Sequence, residues 1–222
     1  MIIILNGPPG TGKDEACLCL QSKGLKHLSF KEELFKATFA YFGVSKDWFM
    51  NDYNNRIIKE KPEPQLQVNG VSLSRRDALI YVSEQYLKPK YGNDYFGIQA
   101  SKNIEPELDY CFSDGGFIDE LIPIINKIGT DNICIVQLTR EGCDFSSDSR
   151  RYFDGEMVEE YIIDKKTEIS NLHILPRKFP IRTYRIHNNG NIGQFREALN
   201  KIYEKEKDVK YGKTATQKEN IS

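Results

Sequence analysis

The chain begins with an apolar segment followed directly by a glycine-rich loop. Ile2-Ile3-Ile4-Leu5 predicts a buried strand, and residues 7–14 then read Gly-Pro-Pro-Gly-Thr-Gly-Lys-Asp. This G-x-x-x-x-G-K pattern, between a strand and a helix, is typical of a loop whose backbone N–H groups surround phosphate oxygens. The following helix adds the positive end of its dipole. The loop therefore predicts binding of a nucleoside polyphosphate.

The residues of this loop have separate expected roles. The backbone of the loop is expected to hold ATP through Gly7, Gly10, Thr11 and Gly12, while Lys13 contacts the β and γ phosphates. Asp14 stands where Ser or Thr usually ligates Mg²⁺, which makes it a candidate metal ligand. The alternative is that Asp14 is an acid at a helix start that interacts with the helix dipole.

Size and composition predict one α/β domain. The chain has 222 residues and a net charge of −1, which argues against a protein that coats nucleic acid. No apolar stretch approaches the length of a membrane span, and the first strand leaves no room for a cleaved signal peptide. The cysteines lack metal-site spacing and are expected to be free thiols in a cytoplasmic protein: Cys17, Cys19, Cys111, Cys134 and Cys143.

Apolar runs alternate with segments of helical period along most of the chain. This alternation predicts a three-layer α/β/α fold with a five-stranded parallel sheet, in which ligands bind beyond the carboxyl ends of the strands. The predicted strands are Ile2–Leu5, His27–Phe30, Tyr110–Ser113, Ile133–Leu138 and Tyr184–His187. The predicted helices are Asp14–Ser22, Leu34–Phe42, Phe117–Ile128, Ser74–Leu87 and Ile192–Ile202.

The predicted domain is residues 1–203, which contains two stretches beyond a minimal core and is followed by a tail. Residues 45–103 are too long for a simple crossover and predict a helical insertion that covers the site. Residues 140–155, called the lid segment below, follow the fourth strand and carry several arginines. Residues 204–222 are lysine-rich without apolar period, which predicts a frayed polar tail.

The third strand and the lid segment indicate phosphoryl transfer. Asp114 ends the strand as a single acid before Gly115-Gly116, which suits a small-molecule kinase whose acid faces magnesium or orients the acceptor phosphate. The base-reading N-K-x-D motif of switch GTPases is absent. Arg140 and Arg150 can neutralise phosphate charge in the transition state. The alternative for each arginine is a surface ion pair with a neighbouring acid.

The sequence resembles the bacteriophage deoxynucleoside monophosphate kinases, distant relatives of adenylate and guanylate kinases. The resemblance rests on Gly7–Asp14 with its Lys-Asp ending, and on four weaker matches in order: Ser29–Gly43, Ser74–Leu79 with Asn93–Phe96, Ser113–Glu120, and Phe179–Arg182 with Arg185–Gly190. It implies transfer of the ATP γ-phosphate to a deoxynucleoside monophosphate, with Mg²⁺. Dimers occur in that family, so a homodimer is an expectation.

Further site residues are predicted on the acceptor and donor sides. Arg75 and Arg76 are candidates for binding the acceptor phosphate, with Arg76 favoured, and Lys36 is a weaker candidate. The expected partners of the bases are Tyr95 and Phe96 for the acceptor, and Asn188 and Gly190 for adenine. Two alternatives remain open, namely a kinase of another small acceptor and a nucleotide-binding module without turnover.

Overall fold

In the computed structural model, the described residues are 1–53, 55, 57–146, 149–168 and 181–219, with side chains of 166–168 and 213–219 left aside. The strands are β1 (Ile2–Asn6), β2 (Lys26–Leu28), β3 (Pro62–Val68), β4 (Val71–Ser74), β5 (Tyr110–Gly115), β6 (Ile133–Thr139) and β7 (Arg182–His187). The α-helices are α1 (Lys13–Gln21), α2 (Lys31–Phe42), α3 (Lys46–Tyr53), α4 (Arg75–Tyr81), α5 (Lys88–Tyr91), α6 (Tyr95–Lys102), α7 (Ile118–Ile128), α8 (Gly155–Glu168) and α9 (Ile192–Glu219). A π-helical turn, Val82–Leu87, joins α4 to α5, and short 3₁₀ turns cover Ile58–Glu60 and Thr130–Asn132.

Five of the strands form one parallel sheet in the order β2-β5-β1-β6-β7. Successive side chains of a strand face opposite sides of the sheet, so Ile2 and Ile4 pack against α2, α6, α7 and α8. Ile3 and Leu5 pack on the other side against α1 and α9. The predicted three-layer α/β/α fold with a five-stranded parallel sheet is confirmed.

The second strand is shorter than predicted. It ends at Leu28, because the backbone N–H of Phe30 donates to the Asp114 carboxylate and the chain turns directly into α2. The helix then ends at Gly43, whose φ of 65° lies in the left-handed region that glycine adopts without strain.

The insertion contains a β-hairpin that the sequence analysis did not predict. Strands β3 and β4 pair antiparallel around Asn69-Gly70, whose φ angles of 51° and 79° suit a tight hairpin turn. Proline is rare in the middle of a sheet, but in a two-stranded ribbon such as β3–β4 each strand is an edge strand, where proline is tolerated. The remainder of residues 45–103 is largely helical, as predicted.

Helix α9 continues past Glu204 to Glu219, whereas the sequence predicts a frayed tail from 204. The prediction of a tail rested on the absence of an apolar period, but polar contacts hold this part of the helix. The carboxylate of Glu206 is buried and accepts hydrogen bonds from Arg182 and from the Tyr184 hydroxyl, each at 2.7 Å. Lys210 donates to Asp109 at 2.7 Å. These contacts fix the helix against β7 and the start of β5.

Among the described residues, no helix is both long enough and apolar enough to cross a membrane. The cytoplasmic location and the homodimer stay predictions. All five cysteines are free, and three of them, Cys17, Cys111 and Cys134, are buried in the core.

Candidate functional site

The glycine-rich loop lies between the central strand β1 and helix α1. Gly10 and Gly12 have φ angles of 89° and 99°, conformations that residues with a Cβ rarely adopt. Helix α1 begins at Lys13 without a side-chain cap, so its first N–H groups are not satisfied by the side chain of the preceding residue. An uncapped helix start beneath a curled loop is the arrangement that an anionic phosphate group stabilises.

Lys13 lies folded over this loop. Its ammonium donates to the carbonyls of Gly7 at 2.6 Å and Pro8 at 2.7 Å, and the Thr11 hydroxyl donates to the Pro8 carbonyl at 2.9 Å. A Cβ added to Gly7 would lie 2.5 Å from the Leu138 carbonyl oxygen, so the loop is packed closely against β6. The structure therefore places the loop residues and the Lys13 charge together, as the sequence analysis predicts.

Two predicted donor-side residues contact the loop from the neighbouring strands. The Asn188 side chain, just after β7, donates to the Thr11 carbonyl at 2.9 Å. A Cβ at Gly12 would approach the Asn188 amide nitrogen to 2.7 Å, so a larger residue would displace this contact. The Arg140 guanidinium, just after β6, reaches the Gly10 carbonyl at 3.5 Å. Gly190 lies two residues beyond Asn188, in the turn before α9.

Asp114 lies at the end of β5, as predicted, and its carboxylate accepts hydrogen bonds from the start of α2. One carboxylate oxygen accepts the Phe30 N–H at 3.1 Å, and the other accepts the Ser29 hydroxyl at 2.7 Å and the Lys31 N–H at 3.0 Å. The residue thus caps the start of α2 from a neighbouring strand and is almost fully buried. Both oxygens take part in this cap, which gives Asp114 a structural role; its predicted role at magnesium stays a prediction.

The charges of Arg76 and Arg150 both affect the pKa of one aromatic side chain of the insertion, Tyr53. Burial raises the pKa of the Tyr53 hydroxyl, while the positive charges of Arg150 and Arg76 lower it. Arg150 also lies directly over Gly116, where an added Cβ would be 2.2 Å from its side-chain Cδ. Gly116 therefore admits the arginine closely to the end of β5, beside the phosphate loop. The charges of both predicted arginines thus reach the same tyrosine of the insertion.

The sequence analysis missed a buried acid beside this pair. Burial raises the pKa of Glu120 well above its usual value and Asp114 raises it further, whereas Lys88, Arg150 and Lys31 lower it. Lys88 lies with its ammonium 4.4 Å from the centre of the Phe117 ring. We call Lys31, Arg76, Lys88 and Arg150 the cationic cluster. The charged position within the apolar run of α7 is the signal that could have identified Glu120.

Replacing Glu120 by Gln is expected to stabilise the protein at alkaline pH. The folded state holds the Glu120 proton more tightly than the unfolded state, so stability falls as pH rises from the unfolded value near 4.5 through the folded value. We expect the variant to melt at a higher temperature than wild type at pH 8, by a margin that shrinks toward pH 4.5. Thermal unfolding at pH 5 and pH 8 measures it, with exposed Glu197→Gln as control. A Glu120→Gln variant that melts lower at pH 8 would contradict this account.

Four other predicted acceptor-side residues are engaged elsewhere. The Arg75 guanidinium is buried and is bonded to Asp52, Glu63 and the Phe49 carbonyl, so it has no face left for a substrate. Phe96 is buried in the core with α6 packed against α7, and Tyr95 stacks on Tyr91 at 5.0 Å. The exposed Lys36 pairs with Glu32 and Glu33 on α2. These placements correct the predictions for Arg75 and Phe96, whereas those for Tyr95 and Lys36 stay predictions.

The parallel sheet and the loop after its central strand define a phosphate-loop α/β protein. No family model matches the sequence, and no curated protein does. One similar solved structure is a "putative kinase" from Chloroflexus aurantiacus, with 11% identity, a TM-score of 0.42, and coverage of 92% of this chain and 96% of that one. At this TM-score the similarity carries no argument about function.

Proposed function

We propose that the protein is a nucleotide kinase that transfers the γ-phosphate of ATP to a deoxynucleoside monophosphate. The observation that carries this proposal is the geometry of the phosphate loop, with Lys13 folded over the loop carbonyls at the uncapped start of α1, and the charges of the cationic cluster support it. Arg76 comes from the insertion and Arg150 from the lid segment, yet the charges of both lower the pKa of the Tyr53 hydroxyl, and Arg150 packs over Gly116 at the end of β5. Two positive sites, one for each phosphorylated ligand, are what transfer between two nucleotides requires.

The chain's own residues supply positioning and charge. The loop backbone and the first turn of α1 hold the β and γ phosphates, and Lys13 supplies a positive charge at the bond that breaks. Arg150 neutralises charge on the transferred phosphoryl group, and Arg76 holds the acceptor phosphate. Arg140 lies on the donor side of the loop. Each residue stabilises charge that is already present or developing, so no covalent intermediate with the protein is needed.

A magnesium ion fits this site through Asp14. Mg²⁺ is usually bound by one or two carboxylates together with substrate phosphates and waters, and the Asp14 carboxylate is exposed in the first turn of α1. Asp14 is therefore the residue proposed to hold the ion. When bound, Mg²⁺ would neutralise negative charge on the phosphates. Asp114, occupied as the cap of α2, acts by fixing that helix.

The aromatic side chains around Tyr53 favour a nucleotide as the acceptor. Phe35 lies edge-on to Tyr53, with ring centres 5.0 Å apart, and both rings are only partly buried. A planar base can stack on such rings while its phosphate reaches Arg76. The deoxyribose preference rests on the resemblance of the sequence to the phage kinases. A kinase of an unphosphorylated acceptor would not need Arg76 at this position.

Release of ADP in a coupled assay tests the proposal. Purified protein, ATP and Mg²⁺ are combined with each deoxynucleoside and ribonucleoside monophosphate in turn, and with unphosphorylated nucleosides. We expect turnover that depends on particular deoxynucleoside monophosphates. Turnover with a nucleoside alone would point to another acceptor class. ATP binding without stimulation by any acceptor would overturn the kinase proposal in favour of a binding module.

Arg150→Ala is expected to lower kcat about 100-fold while ATP binding changes little. The arginine contacts phosphate charge that develops during transfer, whereas the loop holds ATP through its backbone. Arg150→Lys should restore little of the rate, because an ammonium lacks the planar fork of a guanidinium. Steady-state kinetics with Arg196→Ala, an exposed arginine paired with Glu15, as control measures the effect. If the kcat of Arg150→Ala stayed within about 3-fold of wild type, Arg150 would not belong to the site.

A further inference from the structure

Two polar side chains interrupt the apolar centre of the sheet. Asn6 ends β1 after four aliphatic residues, and Gln137 follows Val136 in β6. The two are directly paired across the strands and both are buried, Asn6 at 0% and Gln137 at 3% exposure. A polar side chain in such a place destabilises the fold unless all of its groups are hydrogen-bonded. The hydrogen-bond partners of Asn6 and Gln137 therefore indicate the role of these two side chains.

Both side chains hold the same short piece of backbone. The Asn6 amide donates to the Arg151 carbonyl at 3.0 Å and to the Gly115 carbonyl at 3.1 Å, and its oxygen accepts the Phe153 N–H at 3.2 Å. The Gln137 amide donates to the Phe153 carbonyl at 2.9 Å. Side chains of the sheet thus satisfy both backbone groups of Phe153.

The contacts of neighbouring residues extend this attachment. Phe153 is fully buried, and the Tyr152 hydroxyl donates to the Leu138 carbonyl at 2.9 Å. The Arg185 guanidinium donates to the Gln137 oxygen at 2.7 and 3.0 Å, which fixes the orientation of that side chain. Residues 151–153 are therefore attached to the centre of the sheet and not to a loop.

This attachment joins the phosphate loop to the lid segment. Asn6 directly precedes Gly7, whose carbonyl accepts the Lys13 ammonium, and Arg151 directly follows Arg150. We propose that Asn6 and Gln137 are positioning residues that fix the distance between the phosphate loop and Arg150. The catalytic part of this inference rests on the proposed function, whereas the attachment itself does not. A displacement of about 1 Å in such a group can cost about 100-fold in rate.

Asn6→Asp and Gln137→Glu test the proposal, since each keeps the size of the side chain but replaces a donating amide by an oxygen. Asn6→Asp loses its bonds to the Gly115 and Arg151 carbonyls. Gln137→Glu loses the bond to Phe153 and keeps Arg185 as an ion-pair partner. For each variant we expect a kcat lowered about 100-fold, with the KM for ATP within about 3-fold. If Asn6→Asp does not fold, the kcat and the KM for ATP of Gln137→Glu test the proposal.

A double-mutant cycle separates positioning from a merely structural role. In an Arg150→Ala background each substitution should lower kcat by less than about 3-fold more, because the group that it positions is already gone. Thr38→Val, which removes a buried hydroxyl bonded to the Leu34 carbonyl in α2, is the matched control and should give the same factor in both backgrounds. An equal loss from Asn6→Asp or Gln137→Glu in both backgrounds would overturn the proposal.

Hydrogen exchange of the peptide covering residues 149–155 gives a readout that needs no activity. Exchange should rise about 10-fold in both variants and remain unchanged in Thr38→Val. Unchanged exchange in both variants would overturn the attachment. Raised exchange in a protein that phosphorylates no acceptor would support the attachment and overturn the proposed function, so the two failures are distinguishable.

Discussion

Lys13→Ala is expected to lower phosphoryl transfer about 1,000-fold, the largest effect on activity of any substitution in the chain. The ammonium lies 2.6 Å from the Gly7 carbonyl of the phosphate loop, and in the proposed mechanism it supplies positive charge at the bond that breaks. Stability should change little, because Lys13 is only partly buried and donates to the Gly7 and Pro8 carbonyls of a loop. Steady-state kinetics and thermal unfolding on the same preparation measure both effects.

The control for this variant is Lys23→Ala, which removes an exposed lysine just beyond the same helix. It should keep the wild-type rate. If Lys13→Ala retained more than about a tenth of the activity, the loss would be smaller than that of a single preorganised donor. The glycine-rich loop would then not be the site of transfer.

Arg75→Met is expected to lower the free energy of unfolding by about 3–5 kcal/mol, the largest effect on stability. The guanidinium is 1% exposed, bonds to Asp52 and Glu63, and lies 4.5 Å from the centre of the Trp48 ring. Methionine keeps much of the volume against Trp48 but leaves two partly buried carboxylates without their cation. Denaturant unfolding measures the loss.

The neighbouring residue provides the matched control for Arg75. Arg76→Met removes a partly exposed arginine that pairs with Glu60, so its stability should stay within about 0.5 kcal/mol of wild type. Its expected effect is on the KM for the acceptor, which should rise about 10-fold or more as a charge-assisted phosphate contact is lost. A stable Arg75→Met with a raised acceptor KM would reverse the assignment of the two arginines.

The phosphate loop and the layers of the fold could be predicted because they depend on local pattern. The run Ile2–Leu5, the glycines that follow and the helical period after Lys13 are consistent with one structure at every level. The order of strands in the sheet was not predicted, since it depends on contacts distant in sequence. The turn at Asn69-Gly70 could be predicted from its dipeptide, but the two strands that it joins were missed because the region was interpreted as helical.

The roles of single site residues were harder to predict. Arg75 and Arg76 are adjacent in sequence, and which of them faces inward is decided by Asp52 and Glu63 from distant parts of the insertion. Asp114 has the position of a catalytic acid but caps α2 across the sheet. Asn6 and Gln137 could have been found, because a single amide inside an apolar strand indicates a buried hydrogen-bond partner.

Transfer of ³²P from γ-labelled ATP to a deoxynucleoside monophosphate tests the central claim most directly. The products are separated by chromatography, so that label on the acceptor is distinguished from label released as inorganic phosphate. We predict Mg²⁺-dependent label on a deoxynucleoside diphosphate, lost in Lys13→Ala and retained in Lys23→Ala. Label found only as inorganic phosphate, or no transfer to any deoxynucleoside monophosphate, would contradict the account.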